Sequence, residues 1–273
     1  MVLALKILKI VILIIIFTYV TVLALLFFYQ KKLIFYPTRS DRNTKLSLPG
    51  VFTEGFLQLS DETSVHYLVQ KVESPKGVIL YFHGNAGCLD QWGYVAYELA
   101  IKSGYDVWMM DYPGFGKSSE ALPSNEKILI EMGQQLIAKI RAEQPKLSLV
   151  LYGRSIGSGV AGSLARTEKV EGLVLETPYT SLLEMTHEIF PWVPSLLVQF
   201  DLDSMRLSEL KIPIKTLILH GTADEVIPYR LGERLAQNLK CQIVTVAGGH
   251  HNDLSEFDNY WPEVLKFLNS IPK

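Results

Sequence analysis

Apolar positions are spread unevenly along this chain: one unbroken block stands near the amino terminus, and short bursts recur from there to the end. The block, Ile10 to Tyr29, is 20 residues long and carries no charge. A helix rises ~1.5 Å per residue, so this run spans ~30 Å, the thickness of a bilayer's hydrocarbon core. Lys6 and Lys9 precede it, and Gln30, Lys31 and Lys32 close it. Lysines at both ends suit a helix whose cationic heads reach water at the two interfaces. A cleaved signal peptide has a shorter apolar region, ~7–15 residues, and a small-residue cleavage site. Leu25-Leu26-Phe27-Phe28-Tyr29 offers no such site. A helix apolar on every side also has few places to hide in a domain of this size. The pattern therefore predicts a transmembrane anchor over residues 1–31 and a folded domain over residues 32–273.

Beyond Pro37 the bursts alternate in kind. Phe56–Leu59 and Ser64–Val69 read as strands around Asp61-Glu62-Thr63, an antiparallel hairpin. Val78–Phe82, Val107–Met110, Leu147–Tyr152, Leu173–Glu176, Thr216–His220 and Ile243–Val246 are short continuous apolar runs, the mark of strands buried on both faces. Between and after them, Asp90–Ser103, Ile128–Ile140, Ser155–Arg166, Arg230–Leu239 and Glu263–Leu268 have helical spacing. In Ile128–Ile140 the candidate core positions are Ile128, Ile130, Met132, Leu136 and Ile140. Strands alternating with helices give an α/β fold whose mostly parallel sheet, of about eight strands, is covered on both faces. Residues 181–215, with Phe190, Pro191, Trp192, Pro194 and Phe200, break the rhythm and read as a short helical cap.

Composition narrows the function classes. The formal net charge is −2 and 20% of the 273 residues are charged, so no basic surface points to nucleic acid. Cys88 and Cys241 stand far apart without a CxxC partner, and read as free thiols used as small core residues. No HExxH, Cys/His cluster or EF-hand pattern calls for a metal, and His83-Gly84-Asn85-Ala86-Gly87 is a poor dinucleotide loop. The expectation is chemistry without a cofactor.

Gly153-Arg154-Ser155-Ile156-Gly157 matches G-x-S-x-G between a buried strand and a small-residue helix. That context makes it a nucleophile elbow, a tight turn that lifts a serine above the sheet edge. Serine needs a base within hydrogen-bond reach and a carboxylate to orient that base. Downstream, Asp224 follows one strand and His250-His251 follow the last, so all three loops share the carboxyl edge of the sheet. Spacing does not choose between His250 and His251. The amide of Ile156, next after the serine, is one candidate oxyanion donor. Asp111, His83 and His220 also end strands and read as structural groups that orient loops; Asp253 reads as a turn-forming cap on the segment that follows it.

The soluble part, from about Lys32 on, resembles the small membrane-anchored branch of the α/β-hydrolase superfamily, which is similar to serine-aminopeptidase-like hydrolases and to protein depalmitoylases. The resemblance rests on Leu33-Ile34-Phe35-Tyr36-Pro37, His83–Gly87, Asp111-Tyr112-Pro113-Gly114-Phe115-Gly116-Lys117-Ser118, Gly153–Gly157 and Glu176-Thr177-Pro178-Tyr179-Thr180-Ser181. It rests equally on His220-Gly221-x-x-Asp224 with Val226-Ile227-Pro228, and on Gly249-His250-His251-Asn252-Asp253. It implies Ser155 as nucleophile, Asp224 as acid and His251, not His250, as base, with the Asn85 amide as second oxyanion donor beside Ile156. It implies hydrolysis of an ester or thioester through an acyl-enzyme. An aminopeptidase-like amide hydrolase is the alternative within the fold. A non-catalytic membrane-anchored scaffold is the alternative of another class, and such proteins usually lose part of the triad. The expected partners are a small acyl ester or acylated substrate and the lipid bilayer. Cap residues Phe190, Trp192, Leu196, Leu197 and Phe200 are the candidate acyl groove. Lys31, Lys32, Arg39, Arg42 and Lys45 outnumber Lys6, Lys9 and the amino terminus, which leans toward a cytoplasmic domain.

Overall fold

A computed structural model describes residues 1–210 and 212–272. Lys211, inside the expected cap, and Lys273, the last residue of the expected domain, lie outside them. Helix α1 (Val2–Ile34) carries the apolar block and continues to Ile34, with no buried residue along its 33 positions. It is long and apolar enough to cross a membrane. A two-residue strand β1 (Tyr36–Pro37) follows it and pairs in parallel with β5 (Ala86–Gly87).

An eight-stranded sheet forms the body. Its strands are β2 (Val51–Gln58), β3 (Ser64–Lys71), β4 (Val78–Phe82), β6 (Asp106–Met110), β7 (Leu149–Arg154), β8 (Gly172–Glu176), β9 (Thr216–Gly221) and β10 (Gln242–Val246). Their spatial order is β10-β9-β8-β7-β4-β6-β3-β2. Every pairing from β10 to β6 is parallel; β3 runs antiparallel to both β6 and β2. The chain passes from β4 to β6 on one side and returns to β7 on the other, so the serine loop opens beside a topological switch point.

Successive residues of each strand face opposite layers. Leu80 and Phe82 of β4 belong to one core, with α3 (Glu126–Glu143), α4 (Ile156–Ala165) and α6 (Tyr229–Leu239). Ile79 and Tyr81 belong to the other, with α2 (Leu89–Ser103) and α7 (Tyr260–Asn269). In α3, Met132, Leu136 and Ile140 are buried as expected, but Leu129 and Ile137 take the places expected of Ile128 and Ile130, which are half-buried. The hairpin also differs: β2 starts at Val51, because Gly55 does not end the strand but leaves room for the ring of Tyr67, its register partner. The cap consists of α5 (Leu182–Ile189) and two single-turn helices, Ser195–Leu197 and Met205–Glu209. Cys88 and Cys241 are free; burial pushes the Cys241 thiol up to about 11.

Candidate active site

Strand β7 runs to Arg154, and the next residue, Ser155, turns the chain at φ 54° and ψ −122°, a backbone shape that L residues rarely hold. The turn is this tight because nothing fills its flanks. A Cβ at Gly153 would strike the Gly157 carbonyl, and one at Gly157 would strike the Phe82 carbonyl of the neighbouring strand. The strained residue therefore projects its side chain off the sheet edge. Its own N–H is held by the Glu176 carbonyl at 3.0 Å.

The structure brings Ser155, His251 and Asp224 together from the ends of β7, β10 and β9. The Ser155 Oγ lies 3.0 Å from His251 Nε2, and His251 Nδ1 lies 2.9 Å from Asp224 Oδ2. All three are buried, with exposures of 8%, 6% and 9% for the serine, histidine and aspartate. The two backbone N–H groups of Val226 and Ile227 donate to Asp224 Oδ1 at 2.9 and 2.8 Å. His220 Nε2 stands 3.3 Å from Asp224 Oδ2 and 2.9 Å from the Ile227 carbonyl. Burial by itself would raise the Asp224 carboxyl; hydrogen bonds from His220 and His251, the His251 charge and the Ile227 amide outweigh it and hold the pKa well below the usual carboxylate range. His250, the other histidine of the pair, points away and meets Glu225 at 3.1 Å on the surface. Asp253 departs from its expected role: its carboxylate reaches back to the His250 N–H at 2.7 Å and makes no cap on the following turn.

Asn85 stands in the loop after β4. Its side chain donates to the Ile34 carbonyl at 2.9 Å, and its carbonyl accepts from the Tyr36 N–H at 2.8 Å. Among the described residues, neither the Asn85 N–H nor the Ile156 N–H is engaged by a protein acceptor. Asp111 takes the structural part expected of it, accepting from the Leu89 N–H at 3.0 Å. His83 packs on Trp92 and its Nδ1–H donates to the Gly84 carbonyl at 2.7 Å; burial lowers its pKa despite Asp111 nearby.

Arg154 and Glu176 belong to the site although their motifs alone gave them no part in it. Arg154 Nη2 donates to the His251 carbonyl at 3.2 Å and to Asn252 Oδ1 at 3.0 Å, and its Nε lies 3.3 Å from Glu176. Glu176 in turn accepts from the hydroxyls of Tyr152 and Tyr260, both at 2.7 Å. The signal was an arginine just before Ser155, at the end of a strand whose parallel neighbour ends in a glutamate.

A cavity of about 420 Å³ opens at Ser155, within the range of ~300–1,000 Å³ usual for ligand pockets. Its lining is mostly apolar and carries no charged residue among the described residues, and includes Leu182, Met185, Phe190, Val193 and Phe200 of the cap region. Of the expected groove residues, Phe190 and Phe200 line it, whereas Trp192, Leu196 and Leu197 do not. Leu196 is 84% exposed, and Trp192 is packed against Phe190 and Tyr19.

The sheet has counterparts among known proteins. A family model described as "Serine aminopeptidase, S33" matches residues 73–205, a span that holds Asn85 and Ser155 and stops short of Asp224 and His251. The alpha/beta hydrolase domain-containing protein WAV2 of Arabidopsis thaliana is 28% identical over an alignment covering 90% of this chain and 89% of the relative. Protein bem46 of Schizosaccharomyces pombe is 28% identical over 91% and 89%. The chain has the α/β-hydrolase fold. Among solved α/β-hydrolase structures, the Pyrococcus furiosus esterase Pf2001 superposes with a TM-score of 0.67 at 15% identity, covering 87% of this chain and 98% of its own. A soluble variant of the monoglyceride lipase of Saccharomyces cerevisiae superposes with a TM-score of 0.62 at 13% identity, covering 86% and 99%. At such identities the likeness is one of fold.

Proposed function

We propose that this α/β-hydrolase cleaves an ester or thioester bond by acyl transfer to Ser155 and then to water, at a membrane surface. The hydrogen-bonded line Ser155–His251–Asp224 carries the reading, because it supplies a nucleophile, a base and an orienting carboxylate in reach of one another. Ser155 Oγ attacks the substrate carbonyl as its proton passes to His251 Nε2. Asp224 receives the His251 Nδ1–H and stabilises the imidazolium. The Asn85 and Ile156 amides take the negative charge that develops on the carbonyl oxygen; one such donor is worth roughly 3 kcal/mol in the transition state. Collapse expels the alcohol or thiol with the proton from His251. A water then attacks the acyl-serine, again giving its proton to His251; the acyl–Oγ bond breaks as His251 returns that proton to Ser155 Oγ, and the carboxylic acid leaves.

The cavity favours an acyl group over a peptide. An aminopeptidase must pair a substrate's ammonium group, and no acidic residue lines this cavity among the described residues. A methylene group takes about the ~30 Å³ of a liquid water, so the cavity has room for roughly a dozen carbons. The excess of Lys and Arg just after the anchor supports a cytoplasmic domain.

A fluorophosphonate probe tests the chemistry. It labels the wild-type chain and leaves Ser155→Ala unlabelled; equal labelling of both would refute Ser155 as nucleophile. A series of nitrophenyl esters tests the substrate class, with activity rising from acetate toward medium chains. Release of aminocoumarin from amino-terminal residues with no ester preference would instead establish the peptidase.

A further inference from the structure

The cavity at Ser155 has a wall that comes from the membrane anchor. Leu26, Gln30, Leu33 and Ile34 of α1 line it together with the cap. These positions fall at i, i+4, i+7 and i+8, one face of a helix. The half-buried residues Val22, Leu26, Gln30 and Ile34 continue the same stripe up the helix, four residues apart. Hydrogen bonds lock that face to the cap. Gln30 donates to the Leu197 carbonyl at 3.0 Å and accepts from the Gln199 N–H at 2.7 Å, and Gln199 donates to the Phe27 carbonyl at 2.7 Å. A helix that merely tethered the domain would need none of these contacts.

The depth of the contact matters as much. The Tyr19 hydroxyl donates to the Trp192 carbonyl at 3.0 Å. Tyr19 lies at the middle of the uncharged run, ~15 Å along the helix from its end at Tyr29. With that run in the hydrocarbon core, the tip of the cap must lie in it too. The tip is built for lipid. Ile189, Phe190, Trp192 and Leu196 are exposed there, at 55%, 41%, 45% and 84%. Three of its backbone carbonyls are engaged by side chains, as suits a bilayer: Trp192 by Tyr19, Val193 by His187 and Leu197 by Gln30.

We infer that the cap beds into one leaflet beside α1, and that the acyl chain of a membrane lipid passes from the hydrocarbon directly into the cavity, along a wall made by Leu26, Leu33 and Ile34. The inference rests on the hydrolase reading above and adds the substrate's source and a selecting surface. An apolar chain taken this way never crosses water, where every exposed methylene group is unfavourable.

The test uses the full chain in phosphatidylcholine vesicles, with a dodecanoyl lipid ester in the same bilayer and nitrophenyl acetate in the water. Leu26→Trp and Leu33→Trp narrow the wall, and Leu25→Trp alters a neighbouring position that does not line the cavity. The ratio of dodecanoyl to acetate kcat/KM falls at least tenfold in the first two and stays within twofold in the third. Phosphatidylcholine brominated along its acyl chains quenches part of the tryptophan fluorescence, and Trp192→Phe removes that part. Equal ratios in all three variants, with acetate hydrolysis and probe labelling retained, overturn the wall and leave the hydrolase standing. Absence of quenching at Trp192 overturns entry from the leaflet. A wild-type chain with neither labelling nor acetate hydrolysis overturns the hydrolase reading, and this inference with it.

Discussion

Asp224 holds more partners than an orienting carboxylate requires: two histidines and two backbone amides converge on it. The excess keeps it ionised after burial, and so keeps the proton of His251 on Nδ1 and its Nε2 free to act as a base. Asp224→Asn preserves the shape but presents an amide to the ring; kcat falls by about four orders of magnitude if the proposed triad operates. The same substitution has a signature in stability. The Asp224 pKa is depressed on folding, so its stabilising share is complete above the unfolded value near ~3.9 and is lost as pH drops below it. Thermal melts from pH 7 to pH 3 therefore show Asp224→Asn furthest below wild type at neutral pH, with the gap starting to narrow only below pH ~4. Curves that stay parallel would mean that the charge contributes nothing to the fold. Arg154 acts one step back, through the His251 carbonyl and Asn252. Arg154→Lys keeps the charge but loses the fork that spans Glu176 and the histidine loop. Its kcat falls roughly ten- to a hundredfold with KM little changed, as expected when a base is displaced rather than removed.

The elements that carry the site were readable because each obeys one period. Val78–Phe82 matches β4 end to end, and the other buried strands shift by one or two residues at their ends. Continuous apolar runs bounded by Gly and polar residues leave little choice. Where the reading slipped, a tertiary contact had replaced a local signal. Gly55 looks like a strand terminator until the Tyr67 ring is seen across the ladder, and the pairing of β1 with β5 joins residues 50 positions apart that carry no strand pattern of their own. Ser155, Asp224 and His251 stood out because the chemistry dictates their types and order, and the family motif separated His251 from His250. The partners of Asn85 did not stand out, since a backbone carbonyl at the end of an apolar helix has no signature. The elbow itself gives a test at this scale. Gly157→Ala places a methyl group against the backbone of Phe82, which cannot yield as a side chain can. A cost of about 2 kcal/mol, or a fall in Tm of roughly 5 °C, is expected along with loss of probe labelling.

At the scale of the whole chain, α1 and the sheet domain share the wall of one cavity, although the sequence divides cleanly between them near residue 31. The polar residues that knit them, Gln30 and Gln199, sit in stretches where composition gives no hint of a contact. Phe35, the first residue after α1, is 2% exposed and packs edge-on against Phe115 and Phe200, so the junction is part of the core rather than a linker. A chain beginning at Lys32 should therefore not behave as a freed soluble enzyme. It keeps Ser155, His251 and Asp224, and a fluorophosphonate still labels it. It loses the Leu26 and Gln30 side of the cavity, uncovers Leu182, Met185 and Phe190, and strips the Leu197 carbonyl of its donor. Newly exposed apolar surface of this kind binds anilinonaphthalene dyes and favours association. The expected outcome is a labelled protein with stronger dye fluorescence, a lower Tm than the full chain in detergent, and a nearly flat preference across acyl lengths. If the shortened chain instead keeps its Tm and its medium-chain preference, the anchor is only a tether, and the acyl site lies wholly within the cap.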